Sequence, residues 1–112
     1  MSIHSMEELM RAAKRIGAEE TRRESEDYLE LVMPLEKLEN LEETLGHYFG
    51  VPFKPAGVRP CDACDKVSGS YGGVTTDQVL YFTEREKIPN AAMIWPWADG
   101  RRVTVKIIQD CL

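Results

Sequence analysis

The stretch Ala91-Ala92-Met93-Ile94-Trp95-Pro96-Trp97-Ala98-Asp99-Gly100-Arg101-Arg102-Val103-Thr104-Val105-Lys106-Ile107-Ile108-Gln109 decides the fold. Both halves are rich in apolar, β-branched and aromatic residues, and Asp99-Gly100 between them is a strong hairpin signal. In the second half Val103, Val105 and Ile107 share one face of a strand, with Thr104, Lys106 and Ile108 on the other. Upstream, residues 78–83 have the same strand-forming character, and Ile88-Pro89-Asn90 supplies a turn between the two. The C-terminal third therefore reads as a β-meander.

Tyr28-Leu29-Glu30-Leu31-Val32-Met33 alternates in the same way, placing Leu29, Leu31 and Met33 on one face of a further strand. Pro34 ends it and suits the first turn of a helix, where its missing N–H costs nothing. Leu35, Leu38, Leu41 and Leu45 follow at helical spacing, and Gly46 or Gly50 closes that helix. An earlier helix is announced by Ser5-Met6-Glu7-Glu8, which has the form of a capping box. Its apolar stripe is Met6, Leu9, Met10, Ala13 and Ile16, with Gly17 as the stop. Residues 18–27 are almost wholly charged and read as a connector. Pro52, Pro55 and Pro60 make residues 51–60 extended, suited to a sheet edge because proline cannot donate to a central ladder. Residues 61–73 read as a loop rich in cysteine and glycine. The expected architecture is α+β: two helices on one face of a sheet of about four mainly antiparallel strands that ends in the meander, all in one domain over residues 1–112.

Composition narrows the function classes. A chain of 112 residues with 43% hydrophobic residues is large enough for one packed core without disulfides or metal. The formal net charge of −5 disfavours association with phosphate backbones, so no nucleic-acid partner is expected. No apolar run approaches the roughly 18–20 residues of a membrane span, so no membrane partner is expected. The N-terminal residues are amphipathic and charged, unlike a secretory signal. Three cysteines form no even framework of the secreted kind, and the expected compartment is the cytoplasm.

Cys61-Asp62-Ala63-Cys64 is the sharpest chemical signal. As a redox dithiol it requires a stabilised thiolate. Asp62 and Asp65 would oppose that by raising the thiol pKa values, and Gly69, Gly72 and Gly73 argue against a helix beginning there. As half of a zinc site the pair needs two more ligands, for which Cys111 and His47 are the candidates in one chain. A pair in a second chain would also serve. The plainer readings are a loop disulfide formed only on oxidation, or two small half-buried residues.

The remaining motifs are less specific. Gly69-Ser70-Tyr71-Gly72-Gly73 offers backbone N–H groups to an anion but matches no phosphate-binding pattern. His47, just past the leucine stripe, has no spacing that ties it to a nucleophile. Trp95-Pro96-Trp97 puts two indoles on one face with Met93, and Pro96 suggests an edge strand. Together with Tyr71 these residues form a candidate interface, the competing reading being packing beneath a helix. No catalytic constellation is recognisable. The expectation is a non-catalytic binding or assembly module, self-associating as a homodimer through the Trp95/Trp97 edge. The alternative is a zinc-binding or thiol-redox protein centred on Cys61 and Cys64.

Overall fold

The computed structural model describes residues 3–112. Five strands form one antiparallel sheet in the order β1-β2-β5-β4-β3: β1 (Glu20–Glu24), β2 (Tyr28–Pro34), β3 (Val79–Arg85), β4 (Ile88–Pro96) and β5 (Arg102–Gln109). The expected meander is β3-β4-β5, and the strand around Leu31 joins it through β5, with Leu31 opposite Val105. The turn between β3 and β4 is Glu86-Lys87, two residues earlier than the Ile88-Pro89-Asn90 turn read from the sequence.

Helices α1 (Met6–Gly17) and α2 (Leu38–Phe49) cover one face. Their stripes, Met6, Leu9, Met10 and Ala13 with Leu41, Leu45 and Tyr48, pack on Leu29, Leu31, Met33, Ile94, Val103, Val105 and Ile107. The Ser5 hydroxyl accepts from the Glu8 amide as the capping box requires, while the Glu8 carboxylate accepts from the His4 amide rather than that of Ser5. Leu35 lies in a single 3-10 turn before α2 and is 41% exposed, so the packed leucine stripe begins at Leu38.

Two expectations are corrected. The 18–27 segment is more than a connector, because Glu20–Glu24 is an edge strand, β1, paired with β2. Every side chain of β1 is exposed, so no apolar alternation marks it; backbone pairing with β2 holds it, and the exposed ion pairs Arg22 to Glu20, Lys14 to Glu24, and Glu19 to Arg102 decorate it. Charged side chains on an exposed edge also discourage pairing with another chain. The 61–73 segment is not an open loop: it forms a third helix, α3 (Asp62–Ser68), and a 3-10 turn (Gly69–Tyr71).

That third helix lies on the other face of the sheet, over a second core. Cys64, Val67, Val74, Leu80, Ala91, Met93, Ile108 and Cys111 are buried there, with Tyr28, Tyr71, Phe82 and Trp95 packed around them. The protein is thus three-layered, with α1 and α2 on one side and α3 on the other. Lys54 pairs with Leu80 through two backbone hydrogen bonds of 3.0 Å, so the proline-rich segment meets the β3 edge of the sheet at this one residue. Among the described residues no helix is long and apolar enough to cross a membrane.

Candidate functional site

The second face carries the cysteine pair. Between Lys54 and β3 the chain makes an excursion that crosses this face and contains Cys61, Cys64, α3 and the glycine-rich turn. α3 forms because Cys64, Val67 and Ser68, at helical spacing, all turn toward the second core. The Ser68 hydroxyl donates to the Cys64 carbonyl at 2.7 Å, and Gly69 follows as the cap. The glycines therefore end this helix instead of preventing it.

Cys61 is the N-cap of α3, in extended conformation (φ −110°, ψ 173°), and is exposed. Cys64, one turn on, is 1% exposed. Their sulfurs stand 3.2 Å apart, close enough for one thiol to donate to the other. This asymmetry separates the two thiols. A hydrogen bond from the Cys64 side chain, helped by the backbone amides of Cys64 and Ala63, holds the Cys61 thiol below its ordinary pKa. Burial pushes the Cys64 thiol up, and the neighbouring Cys61 thiol opposes its ionisation as well. The amides of the first helical turn, absent from a loop reading, act on Cys61 and lower its pKa, the opposite of the direction expected from Asp62 and Asp65.

Lys54 escaped the sequence reading altogether. A lysine in a proline-rich stretch carries no signal of burial, yet this one is 1% exposed. Its ammonium donates to the carbonyls of Pro55 at 2.9 Å, Thr76 at 3.1 Å and Gln78 at 2.5 Å. Three acceptors satisfy all three N–H bonds, which is how a buried ammonium is tolerated. Burial lowers its pKa, and the charges of Cys64 and Asp77 act in the opposite direction.

The zinc quartet of the alternative reading is not assembled. Among the described residues no three His, Cys, Asp or Glu side chains converge as metal ligands. His47 belongs to α2 on the far side of the sheet, where its Nε2 lies 3.9 Å from Glu43. Cys111 is buried in the second core and its thiol is pushed up by that burial. All three cysteines are free, and only Cys61 and Cys64 are brought together.

The tryptophans are not at an edge either, because β4 lies between β5 and β3. Pro96 is tolerated there as the last residue of the strand. Trp95, Met93 and Tyr71 do meet, in the second core. The Lys106 ammonium sits 3.6 Å above the Trp95 ring and donates to the Tyr71 carbonyl at 2.8 Å, holding the glycine turn on the sheet. Trp97 stands apart from this group: its indole N–H donates to Thr104 at 2.8 Å, and the guanidinium groups of Arg22 and Arg102 approach its ring at 5.4 and 5.6 Å. Beside Tyr71 an open cleft of about 570 Å³ is lined by Arg23, Tyr28, Glu30 and Lys106 among others, a mixture of charges that selects no ligand class.

Comparison with protein-family models, with curated proteins and with solved structures finds no match.

Proposed function

We propose that this chain is a thiol–disulfide protein whose Cys61–Cys64 pair cycles between dithiol and disulfide. The observation that carries the reading is the 3.2 Å separation of two sulfurs of unequal exposure, Cys61 open to solvent and Cys64 buried behind it. Closing the bond to about 2.05 Å requires side-chain motion of only about 1 Å. The partner class is a disulfide, carried by a small thiol or by another protein.

In the oxidising direction the Cys61 thiolate attacks one sulfur of the partner, R–S–S–R. A Cys61–S–S–R bond forms, the partner bond breaks, and the first RS⁻ takes up the proton that Cys61 released. Cys64 then attacks Cys61 Sγ; the intramolecular disulfide forms and the second RS⁻ leaves with the proton of Cys64. Two electrons pass from the dithiol to the partner, which departs as two RSH. An exposed thiol of lowered pKa suits the first attack, and a buried one within reach of the first suits resolution. We read the compartment as cytoplasmic, with the dithiol as the resting form. A dimer through Trp95 and Trp97 draws no support from their packing, since the chain's own cations lie over both rings.

The test is oxidation of the reduced protein with oxidised glutathione, followed by acid quench, alkylation and mass spectrometry. The expected product is an intramolecular Cys61–Cys64 disulfide with Cys111 still a thiol, and in Cys64→Ser a stable glutathione adduct on Cys61. Recovery of all three cysteines as thiols, or an adduct confined to Cys111, would overturn the reading.

A further inference from the structure

The excursion that carries the dithiol is fastened at its base around one buried charged group. Lys54 starts it, and its ammonium bonds to Thr76 and Gln78, the residues that return the chain to β3. Two backbone bonds between Lys54 and Leu80 complete the closure, and the Gly57 amide donates to the same Thr76 carbonyl. Leu80 in turn packs in the second core with Cys64 and Val67 of α3. The ammonium is therefore buried on the same side of the sheet as the buried thiol, and each bears electrostatically on the other.

An apolar residue and a few rearranged carbonyls would close such a base at lower desolvation cost than a buried charge. Besides tying the three carbonyls, a cation at this place also acts on negative charge that develops nearby. The two-step exchange provides it, because Cys64 must act as a nucleophile from within a site where burial disfavours its thiolate.

On the dithiol reading above, we propose that Lys54 is the positioning residue of the resolving step: its ammonium holds the base of the excursion and stabilises the negative charge of Cys64 as that sulfur attacks Cys61 Sγ. Cys61, exposed and assisted by its own neighbouring amides, does not depend on Lys54 for the first attack.

The experiment separates the two steps. Reduced protein is mixed rapidly with an excess of an aromatic disulfide whose released thiol absorbs in the visible, so that each RS⁻ is counted as it leaves. Lys54→Gln keeps hydrogen-bond donors and removes the charge; Lys54→Arg keeps the charge. The result expected is a roughly tenfold slower second release in Lys54→Gln, the loss of thiolate outweighing the higher nucleophilicity of a more basic sulfur. Lys54→Arg restores most of that rate. A second release as fast in Lys54→Gln as in the parent overturns the inference while leaving the dithiol reading intact. Absence of any second release in the parent overturns both. Should Lys54→Gln fail to fold, Lys54→Arg decides alone: a folded arginine variant with a tenfold slower second step contradicts a role for charge.

Discussion

Gly72 has no room for a side chain because the indole of Trp95 occupies the place where one would begin. A Cβ at residue 72 would stand 2.4 Å from Trp95 Cη2 and 3.0 Å from Cζ2, and the backbone there has φ +105°. The glycine-rich turn thus packs closely over Trp95 at Gly72, whereas a Cβ at Gly69 or Gly73 would meet nothing within 4 Å.

Gly72→Ala should therefore destabilise the protein by about 2–4 kcal/mol, from the left-handed backbone and the overlap together. Urea unfolding followed by tryptophan fluorescence checks this. A loss below about 0.5 kcal/mol would mean that the turn does not sit on Trp95.

The hairpin between β3 and β4 holds two non-glycine residues at positive φ, Glu86 at 53° and Lys87 at 67°. A two-residue turn of that kind favours Asn-Gly. The double substitution Glu86→Asn and Lys87→Gly should stabilise the fold by about 0.5–1 kcal/mol, the relief of left-handed strain exceeding the added entropy of the unfolded chain. A raised urea midpoint with unchanged slope is the expected result.

The Cys61 and Cys64 sulfurs lie 3.2 Å apart, and a hydrogen bond from Cys64 to an ionised Cys61 favours that thiolate. Alkylation proceeds through the thiolate, so the pH–rate profile of Cys61 with iodoacetamide should have its midpoint below that of an ordinary thiol. Removing the donor in Cys64→Ala should move that midpoint to higher pH. An unchanged profile in Cys64→Ala would show that the sulfur–sulfur contact does not set the reactivity of Cys61.

Tyr48 and Asn90 join α2 to the sheet beneath the hairpin, the Asn90 amide donating to the Tyr48 hydroxyl at 2.9 Å. Tyr48→Phe leaves that amide group, which is almost fully buried, without its acceptor and should cost about 1–3 kcal/mol. Thermal unfolding by circular dichroism measures it.

The elements legible in the sequence are those with one covered face. β2 and β5 alternate cleanly because Leu29, Leu31, Val103, Val105 and Ile107 meet the two long helices, and α1 and α2 show the matching stripes. β1 was illegible because no layer covers it: with every side chain exposed, its five residues carry charges and one threonine but no period. α3 was illegible for a different reason. Its buried face consists of Cys64, Val67 and Ser68, only one of them strongly apolar, and seven residues give barely two turns to reveal a pattern. Of the candidate site, the Cys61–Cys64 spacing was readable, but the inequality of the two thiols was not, since it comes from burial under the second core. Lys54 was hidden because its acceptors are backbone carbonyls, two of them far along the chain, and a carbonyl leaves no mark on sequence. Trp95 and Trp97 misled through Pro96, which sits at the end of an interior strand rather than along an edge.

The most direct test of the central claim is an equilibrium redox titration of the whole chain in mixtures of reduced and oxidised dithiothreitol, read by the mass of the alkylated protein. One two-electron transition is expected, which links Cys61 to Cys64 and vanishes in Cys61→Ser and in Cys64→Ser, with Cys111→Ser unchanged. A chain that stays fully reduced across the series, or a transition that persists without Cys64, would contradict it.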